Sequence, residues 1–217
     1  MQTFGPDELR DALARHERTW LPPCPGRRNH IPASVLVPIG FAPDPHVYVT
    51  LRPSHLREHG GEFCFPGGRR EPDDTSLEET ALREAHEELA LEQVSLLGEL
   101  STVPLYTSDY RLFPFVGWII PDEICASPDE VASVDAIAVQ ELFNRPAIDA
   151  ISYTSEGKTH LSPVFMVGEK PLFGATAHVL YELLGVLSSV VGASVPSLVT
   201  GRFTFRDLLG RPSARET

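Results

Sequence analysis

The sequence has few cysteines, almost no lysine and no long apolar run. Cys24, Cys64 and Cys125 lie far apart without a Cys-x-x-Cys pair, which argues against a disulfide framework or a zinc site and fits a reducing compartment. Lys158 and Lys170 are the only lysines among 18 Lys and Arg residues, so the basic side chains are nearly all arginine.

Hydropathy and charge narrow the class of protein further. No apolar run approaches the ~20 residues that a membrane helix needs, and the first residues lack the basic and then apolar pattern of a signal peptide. We therefore expect a cytoplasmic protein without a membrane partner. The net charge of -12 and the pI near 5.0 argue against a nucleic-acid partner, which would need a basic surface.

Short β-branched runs and helical patterns share the chain. Residues 7–17 predict an amphipathic helix on the surface, followed by a proline-rich connection. Strands are predicted at 34–39, 46–51, 94–100, 112–120 and 134–139, with weaker ones at 149–153 and 163–167. Ser76 and Glu79 form a possible capping box, so the main helix should begin near Leu77. Residues 176–191 predict a second, packed helix, because polar side chains interrupt their apolar pattern.

This pattern indicates an α+β fold, an α/β/α sandwich with one core. We divide the chain into an N-terminal helix with a Pro-rich lead-in (1–30), a single domain (31–208) and a mobile C-terminal tail (209–217). The oligomeric state is left open.

A glycine turn stands ahead of a helix that is rich in carboxylates. On a helix over residues 77–90, Glu84, Glu87 and Glu88 fall within an arc of about 100°, apart from the apolar face of Ala81 and Ala85. Oxygen ligands on one face suit Mg²⁺ or Mn²⁺. The alternative is a solvated acidic face whose charges pair with Arg83.

The sign of the charge reverses across the glycine turn. The basic and imidazole side chains before the helix are Arg52, His55, Arg57, His59, Arg69 and Arg70, whereas residues 71–92 carry nine acids with Arg83 as the lone base. Arginines that bind phosphate oxygens, next to carboxylates that bind a metal, predict a site for a diphosphate.

The residues from Gly68 to Leu91 resemble the Nudix box, in which Gly, a loop Glu and an Arg-Glu-apolar-x-Glu-Glu helix recur. Arg83, Glu84, Glu87 and Glu88 match in register. Ala90 stands where a second Gly is usual, Asp74 stands in place of the loop Glu, and the segment between turn and helix is one residue longer. The helix half is intact, and the loop half is altered.

The segment from Leu51 to Gly68 resembles the motif of the coenzyme A diphosphatase branch of Nudix hydrolases. Arg52, Arg57, Gly61, Phe63, Phe65 and the Pro-Gly-Gly turn keep its spacing, whereas Pro53 departs from it. Three later segments are similar to that branch in the same order: 107–117, 128–131 and 173–177.

The resemblance implies a Nudix fold, with a mixed β-sheet between helices, in residues 31–208. It implies metal-dependent hydrolysis of the diphosphate of coenzyme A or its derivatives, which gives adenosine 3′,5′-bisphosphate and 4′-phosphopantetheine. The alternatives are hydrolysis of another nucleoside diphosphate derivative, such as ADP-ribose or a dinucleotide, and a catalytically silent Nudix-fold binding module.

The same resemblance implies roles for particular residues. Metal ligands would be Glu84, Glu87 and Glu88, for Mg²⁺ or Mn²⁺. Catalytic roles would fall to Glu87, Glu88, Arg83 as the partner that orients Glu87, and Glu130 as general base. A small-molecule nucleotide of the coenzyme A class would contact Arg52, Arg57, His59, Gly67, Gly68 and Arg69.

Overall fold

The computed structural model describes residues 3–155 and 157–209. This part of the chain contains two β-sheets, five α-helices and one short 3₁₀-helix, Pro121–Glu123. The helices are α1 (Pro6–Arg15), α2 (Leu77–Leu89), α3 (Val139–Asn144), α4 (Gly174–Val191) and α5 (Phe205–Leu209). The strands are β1 (Ile31–Gly40), β2 (His46–Leu51), β3 (Phe63–Cys64), β4 (Gly67–Arg69), β5 (Ser95–Glu99), β6 (Val103–Pro104), β7 (Tyr110–Trp118), β8 (Ser133–Ala138), β9 (Ile148–Ser155), β10 (Lys158–Val167), β11 (Lys170–Leu172) and β12 (Leu198–Thr200).

The larger sheet is mixed and runs in the order β3-β2-β1-β7-β5, with β4 on β1, β6 on β7 and β8 on β2. Strands β1 and β7 pair in parallel from Ile31 opposite Tyr110 to Ile39 opposite Trp118, and the other pairs are antiparallel. Residues 33–40 of β1 are all buried, because both faces of the sheet are covered. The predicted α+β fold with a mixed sheet between helices is confirmed.

Successive residues of β1 face two hydrophobic cores. Val35 and Val37 belong to the core beneath α1 and α4, whereas Leu36 packs with Ala81 and Ala85 of α2 on the opposite face. This alternation follows from the two-residue period of a strand. Helix α2, which carries the acidic cluster, is thereby fixed on one face of the sheet by its apolar side.

The N-terminal helix is part of the main core. Leu9 and Leu13, one turn apart on α1, are buried, and His16 bonds to Glu182 of α4 (Nε2 to Oε1, 2.6 Å). The lead-in is also anchored, since the Asn29 amide donates to three carbonyls in residues 105–110. The expectation that this segment simply lies on the surface therefore needs correction.

Helix α4 has the length and apolar composition of a membrane span. Eight of its residues, including Leu180, Leu183 and Leu187, are nonetheless buried in the core. The helix packs against α1 and β10, which confirms the prediction of a packed helix.

The second sheet has the order β11-β10-β9-β12. Its central hairpin, β9 and β10, is longer than the two weak strands predicted from the sequence. A further correction concerns Val139, which was assigned to a strand and instead begins α3. Most of the predicted tail 209–217 lies outside the described residues.

Candidate active site

The glycine turn lets the backbone approach α2. Strand β4 pairs with β1, with Gly67 opposite Val35 and Gly68 opposite Ser34. A Cβ at Gly67 would collide with the Ser34 carbonyl and Val35, and one at Gly68 would collide with the Glu84 carboxylate. At Gly67 the collision is with backbone, so the fold requires glycine there. At Gly68 it is with the end of the Glu84 side chain, so glycine there leaves the space that the Glu84 carboxylate occupies.

Glu88 is a buried carboxylate with one unpartnered oxygen. Its side chain is only 3% exposed; Oε1 accepts from the Gly67 N–H (3.1 Å), and Oε2 has no hydrogen-bond partner. Burial raises the pKa of Glu88 to about 7, and the nearby charges of Glu84 and Glu130 also raise it. A buried anion that lacks a partner is costly, so this oxygen is suited to a cation.

Arg83 holds the acids of α2 and the preceding loop together. Its guanidinium donates to Asp74 Oδ1 (3.0 Å), Glu84 Oε1 (3.0 Å) and Glu87 Oε2 (2.9 Å). It also donates to the Arg69 carbonyl (3.1 Å), which fixes the glycine turn to the helix. The geometry thus agrees with Arg83 as the partner that orients Glu87.

Asp74, which stands in place of the loop Glu, is the anchor of the altered loop. It is 4% exposed and accepts from the Glu71 N–H (2.8 Å) and the Thr80 hydroxyl (2.9 Å) as well as from Arg83. The pKa of Asp74 is lowered to about 2, and hydrogen bonding from Arg83 is the largest cause. The longer loop is therefore tied down by an ionised side chain.

Glu84 and Glu87 differ in environment. Glu84 is half-buried, and burial raises its pKa while Arg83 opposes the shift. The Glu87 side chain is 49% exposed on the solvent side of its ion pair with Arg83. Within residues 3–155 and 157–209, no three His, Cys, Asp or Glu side chains stand close enough to form a ready-made metal cage.

Arg52 lies at the base of the loop between β2 and β3, where its charge acts on Glu88. Two hydrogen bonds fix its backbone: the Arg52 N–H donates to the Glu62 carbonyl, and the Arg52 carbonyl accepts from the Gly61 N–H (both 3.0 Å). The next residue, Pro53, is buried and favours an extended backbone at Arg52. The Arg52 Nε is buried without a hydrogen-bond partner. The Arg52 charge acts on Glu88, and it lowers the Glu88 pKa against the effect of burial.

Cys64 is also near this pair of charges. Burial raises the pKa of its thiol to about 11, so the thiol stays protonated at neutral pH. This is the behaviour expected of a packed strand residue and not of a nucleophile.

Arg57 and His59 lie on the exposed part of the same loop. His59 has a left-handed backbone (φ 56°), and its Nδ1 bonds to Glu62 Oε2 (2.9 Å). This hydrogen bond is the main reason why the His59 pKa is raised. Substrate contact by Arg57 and His59 stays a prediction.

Glu130 is exposed on a loop that is bonded to the end of α2. The Cys125 N–H donates to the Leu89 carbonyl (2.9 Å), and the Ser127 N–H donates to the Glu88 carbonyl (2.8 Å). The Glu130 charge contributes to the raised pKa of both Glu84 and Glu88. The structure therefore brings Glu130 to this site, and its role as general base stays a prediction.

A cleft of about 1000 Å³ opens beside Glu84. Arg69, predicted to contact substrate, is exposed at this cleft, together with Tyr110 of β7. Tyr110 is a site residue that was not predicted from the sequence. The only signal that could have found it is its place in a segment similar to the coenzyme A diphosphatase branch.

Comparison with known proteins identifies the family. A family model described as the NUDIX domain matches residues 31–154. Proteins named uncharacterized Nudix hydrolase NudL, from Yersinia pestis (strain Pestoides F) and from Yersinia pseudotuberculosis serotype O:3 (strain YPIII), are each 36% identical over 156 residues, which is 70% of this chain and 77% of theirs. The chain therefore belongs to the Nudix family, and the prediction of a Nudix pyrophosphatase is confirmed.

Solved structures with a similar arrangement are more distant in sequence. A MutT/nudix family protein from Enterococcus faecalis has a TM-score of 0.49 at 14% identity, covering 81% of this chain and 66% of that one. The NUDIX domain of Shewanella oneidensis NrtR, solved with ADP ribose, has a TM-score of 0.43 at 17% identity, covering 63% of this chain and 86% of that one.

The family supplies the coarse chemistry. Nudix hydrolases act on small nucleoside diphosphate derivatives and generally need a divalent ion such as Mg²⁺ or Mn²⁺. The residues present fit such an ion, because Glu88 Oε2 is a buried acceptor without a partner and Glu84 lies close enough to raise the Glu88 pKa.

Proposed function

We propose that this Nudix hydrolase cleaves the diphosphate of coenzyme A or its derivatives, with Mg²⁺ or Mn²⁺, and releases adenosine 3′,5′-bisphosphate and 4′-phosphopantetheine. Membership of the Nudix family supports hydrolysis of a nucleoside diphosphate derivative. The coenzyme A substrate, the metal and the cytoplasmic location are proposals.

The observation that carries the proposal is a pair of buried polar atoms without partners. Arg52 Nε is a donor on a cationic group, and Glu88 Oε2 is an acceptor on an acid. An unpartnered buried polar atom costs about 1–3 kcal/mol, and the charge of Arg52 is close enough to Glu88 to lower its pKa, so one ligand could serve both atoms. A metal-bound diphosphate would supply both partners, since a phosphate oxygen can accept from Arg52 and the cation can bind Glu88.

Support for the coenzyme A branch comes from where its sequence segments lie. The loop of residues 52–62 carries Arg52, whose charge lowers the pKa of Glu88. The Thr176 hydroxyl, at the start of α4, donates to the Phe63 carbonyl (3.3 Å), so the 173–177 segment packs on β3 next to that loop. The segment that includes Tyr110 shares a cleft with Glu84 of α2, and the loop that carries Glu130 is hydrogen-bonded to the end of α2. Segments far apart in sequence thus surround one site.

The chain's own residues would divide the work as follows. Glu84 and Glu88 would provide the ligand oxygens, and Arg83 would orient Glu84 and Glu87. Arg52 would bind a phosphate oxygen, and Glu130 would take the proton of the attacking water. When bound, the metal would neutralise the diphosphate and lower the pKa of a bound water.

The test is product analysis with purified protein. Coenzyme A, ADP-ribose and a dinucleotide are each incubated with Mg²⁺ or Mn²⁺, and the nucleotides released are separated by chromatography. We expect adenosine 3′,5′-bisphosphate from coenzyme A, and we expect Glu84→Gln and Glu88→Gln to lower its rate of release on the order of 100-fold or more, because charge stabilisation at the reacting phosphate is lost.

Glu141→Gln is the matched control, because Glu141 is an exposed acid on α3. It should leave the rate unchanged. Faster hydrolysis of ADP-ribose or the dinucleotide would refute the coenzyme A assignment in favour of the other nucleoside diphosphates. Full activity of the Glu88→Gln protein would refute the proposed role of Glu88.

A further inference from the structure

The cleft beside Glu84 is lined by apolar and charged side chains. The apolar and aromatic residues are Ile31, Pro32, Pro72 and Tyr110, and the charged ones are Arg69, Arg70, Glu71 and Glu84. The cleft therefore adjoins one of the predicted metal ligands, Glu84, and offers an aromatic side chain close to it.

Tyr110 is fixed by its backbone and leaves its side chain available. It pairs with Ile31 where β7 meets β1, and its carbonyl accepts from the Leu105 N–H (3.1 Å) and the Asn29 amide (2.8 Å). Within the described ranges, the Tyr110 hydroxyl makes no hydrogen bond to protein. The ring is thus presented to the cleft by a rigid strand, as a ligand-binding aromatic should be.

Arg69 is the cation of this cleft that the fold leaves available. Arg83 is occupied by three carboxylates, and Arg70 donates to the carbonyls of Asp74 and Thr75. The exposed Arg69 side chain makes no ion pair to another described residue. Its guanidinium can therefore bind an anionic oxygen of a ligand.

We infer that this cleft binds the nucleoside half of the substrate, with the base against Tyr110 and the adjoining phosphate on Arg69. A flat base needs aromatic and apolar surface. Tyr110, Ile31 and Pro32 supply that surface, and Arg69 supplies a positive charge for the phosphate next to the nucleoside. The inference rests on the proposed function, in which the diphosphate lies at Glu84 and Glu88.

The experiment measures binding without turnover. ADP and 4′-phosphopantetheine are titrated separately by calorimetry, with Mg²⁺, into the wild type, Tyr110→Phe and Tyr110→Leu. We expect Tyr110→Leu to weaken ADP binding about tenfold, as one base–aromatic stack lost, and Tyr110→Phe to bind ADP nearly as the wild type does. Neither substitution should change 4′-phosphopantetheine binding.

Two further variants complete the test. Tyr106→Leu is the control, because Tyr106 is 53% exposed and is not part of the cleft; it should bind ADP normally. Arg69→Gln, at an exposed position without an ion pair to another described residue, should weaken ADP binding several-fold and leave adenosine binding unchanged. It therefore provides a test even if Tyr110→Leu does not fold.

Three results would overturn the inference: unchanged ADP binding in Tyr110→Leu, a loss confined to 4′-phosphopantetheine, or equal losses of ADP and adenosine binding in Arg69→Gln. These outcomes are independent of whether coenzyme A is hydrolysed. Failure to hydrolyse coenzyme A would refute the proposed substrate and leave the ADP titrations interpretable.

Discussion

Replacing Glu88 by Gln should stabilise the metal-free protein at alkaline pH. Glu88 is 3% exposed, and burial raises its pKa from 4.5 to about 7. The folded protein therefore holds a proton that the unfolded chain releases between these two pH values. It follows that the contribution of Glu88 makes stability fall as pH rises through this window.

The magnitude follows from the size of the shift. A change of about 2.5 pKa units corresponds to about 3 kcal/mol, which is present as a penalty once Glu88 is ionised in the fold. Gln at this position keeps an oxygen that can accept from the Gly67 N–H, but it buries an unpartnered amide at a cost of about 1 kcal/mol. We expect Glu88→Gln to be about 2 kcal/mol more stable than the wild type at pH 8.

The assay is urea unfolding of EDTA-treated proteins from pH 5 to pH 8. The advantage of Glu88→Gln should grow by about 2.5 kcal/mol across this range, because Gln does not titrate. Glu87→Gln is the control: the Glu87 side chain is 49% exposed, and this variant should follow the wild type. Added Mg²⁺ should stabilise the wild type at pH 8 more than Glu88→Gln. A gap that is constant from pH 5 to pH 8 would refute the reasoning.

Two further predictions concern the glycine positions of the box. Ala90 caps α2 with a left-handed backbone (φ 54°), so Ala90→Gly should raise the free energy of unfolding in urea by about 1 kcal/mol without loss of activity; destabilisation would contradict this. A Cβ at Gly68 would displace the Glu84 carboxylate, so Gly68→Ala should lower kcat about tenfold or more with a small change in Tm. The control is Gly185→Ala on α4, because a Cβ at Gly185 would meet open space; this variant should keep full activity. A Gly68→Ala protein as active as this control would show that the placement of Glu84 is unimportant.

Local signals account for the parts of the fold that the sequence predicted well. Helix α2 begins at Leu77, as predicted, because the Ser76 side chain accepts from the Glu79 N–H at its start. Strand β2 spans His46–Leu51, as predicted from its β-branched run. In both cases neighbouring residues specify the element.

Elements that depend on distant partners were missed. Strand β3 consists of Phe63 and Cys64, which pair with Leu51 and Thr50, and so short a strand has no periodicity to detect. The exposed start of β10, from Lys158 to Leu161, lacks the apolar alternation on which strand prediction depends. Val139 favours a strand by its β-branched side chain, and tertiary packing places it in α3 instead.

The site was predictable in composition but not in geometry. The spacing of Glu84, Glu87 and Glu88 follows from the period of a helix. The approach of Arg52 to Glu88 arises from the pairing of β2, β3 and β4 around β1, which no local pattern encodes. The same holds for Asp74, whose role as an anchor requires the Arg83 side chain to reach back over nine residues.

The most direct test of the central claim is anomalous diffraction from crystals grown with Mn²⁺ and ADP. The account predicts a manganese peak within coordinating distance of Glu88 Oε2 and Glu84, with a phosphate oxygen accepting from Arg52 Nε. An ordered ADP with no manganese at these carboxylates, or a manganese ion bound elsewhere while Glu88 Oε2 stays without a partner, would contradict it.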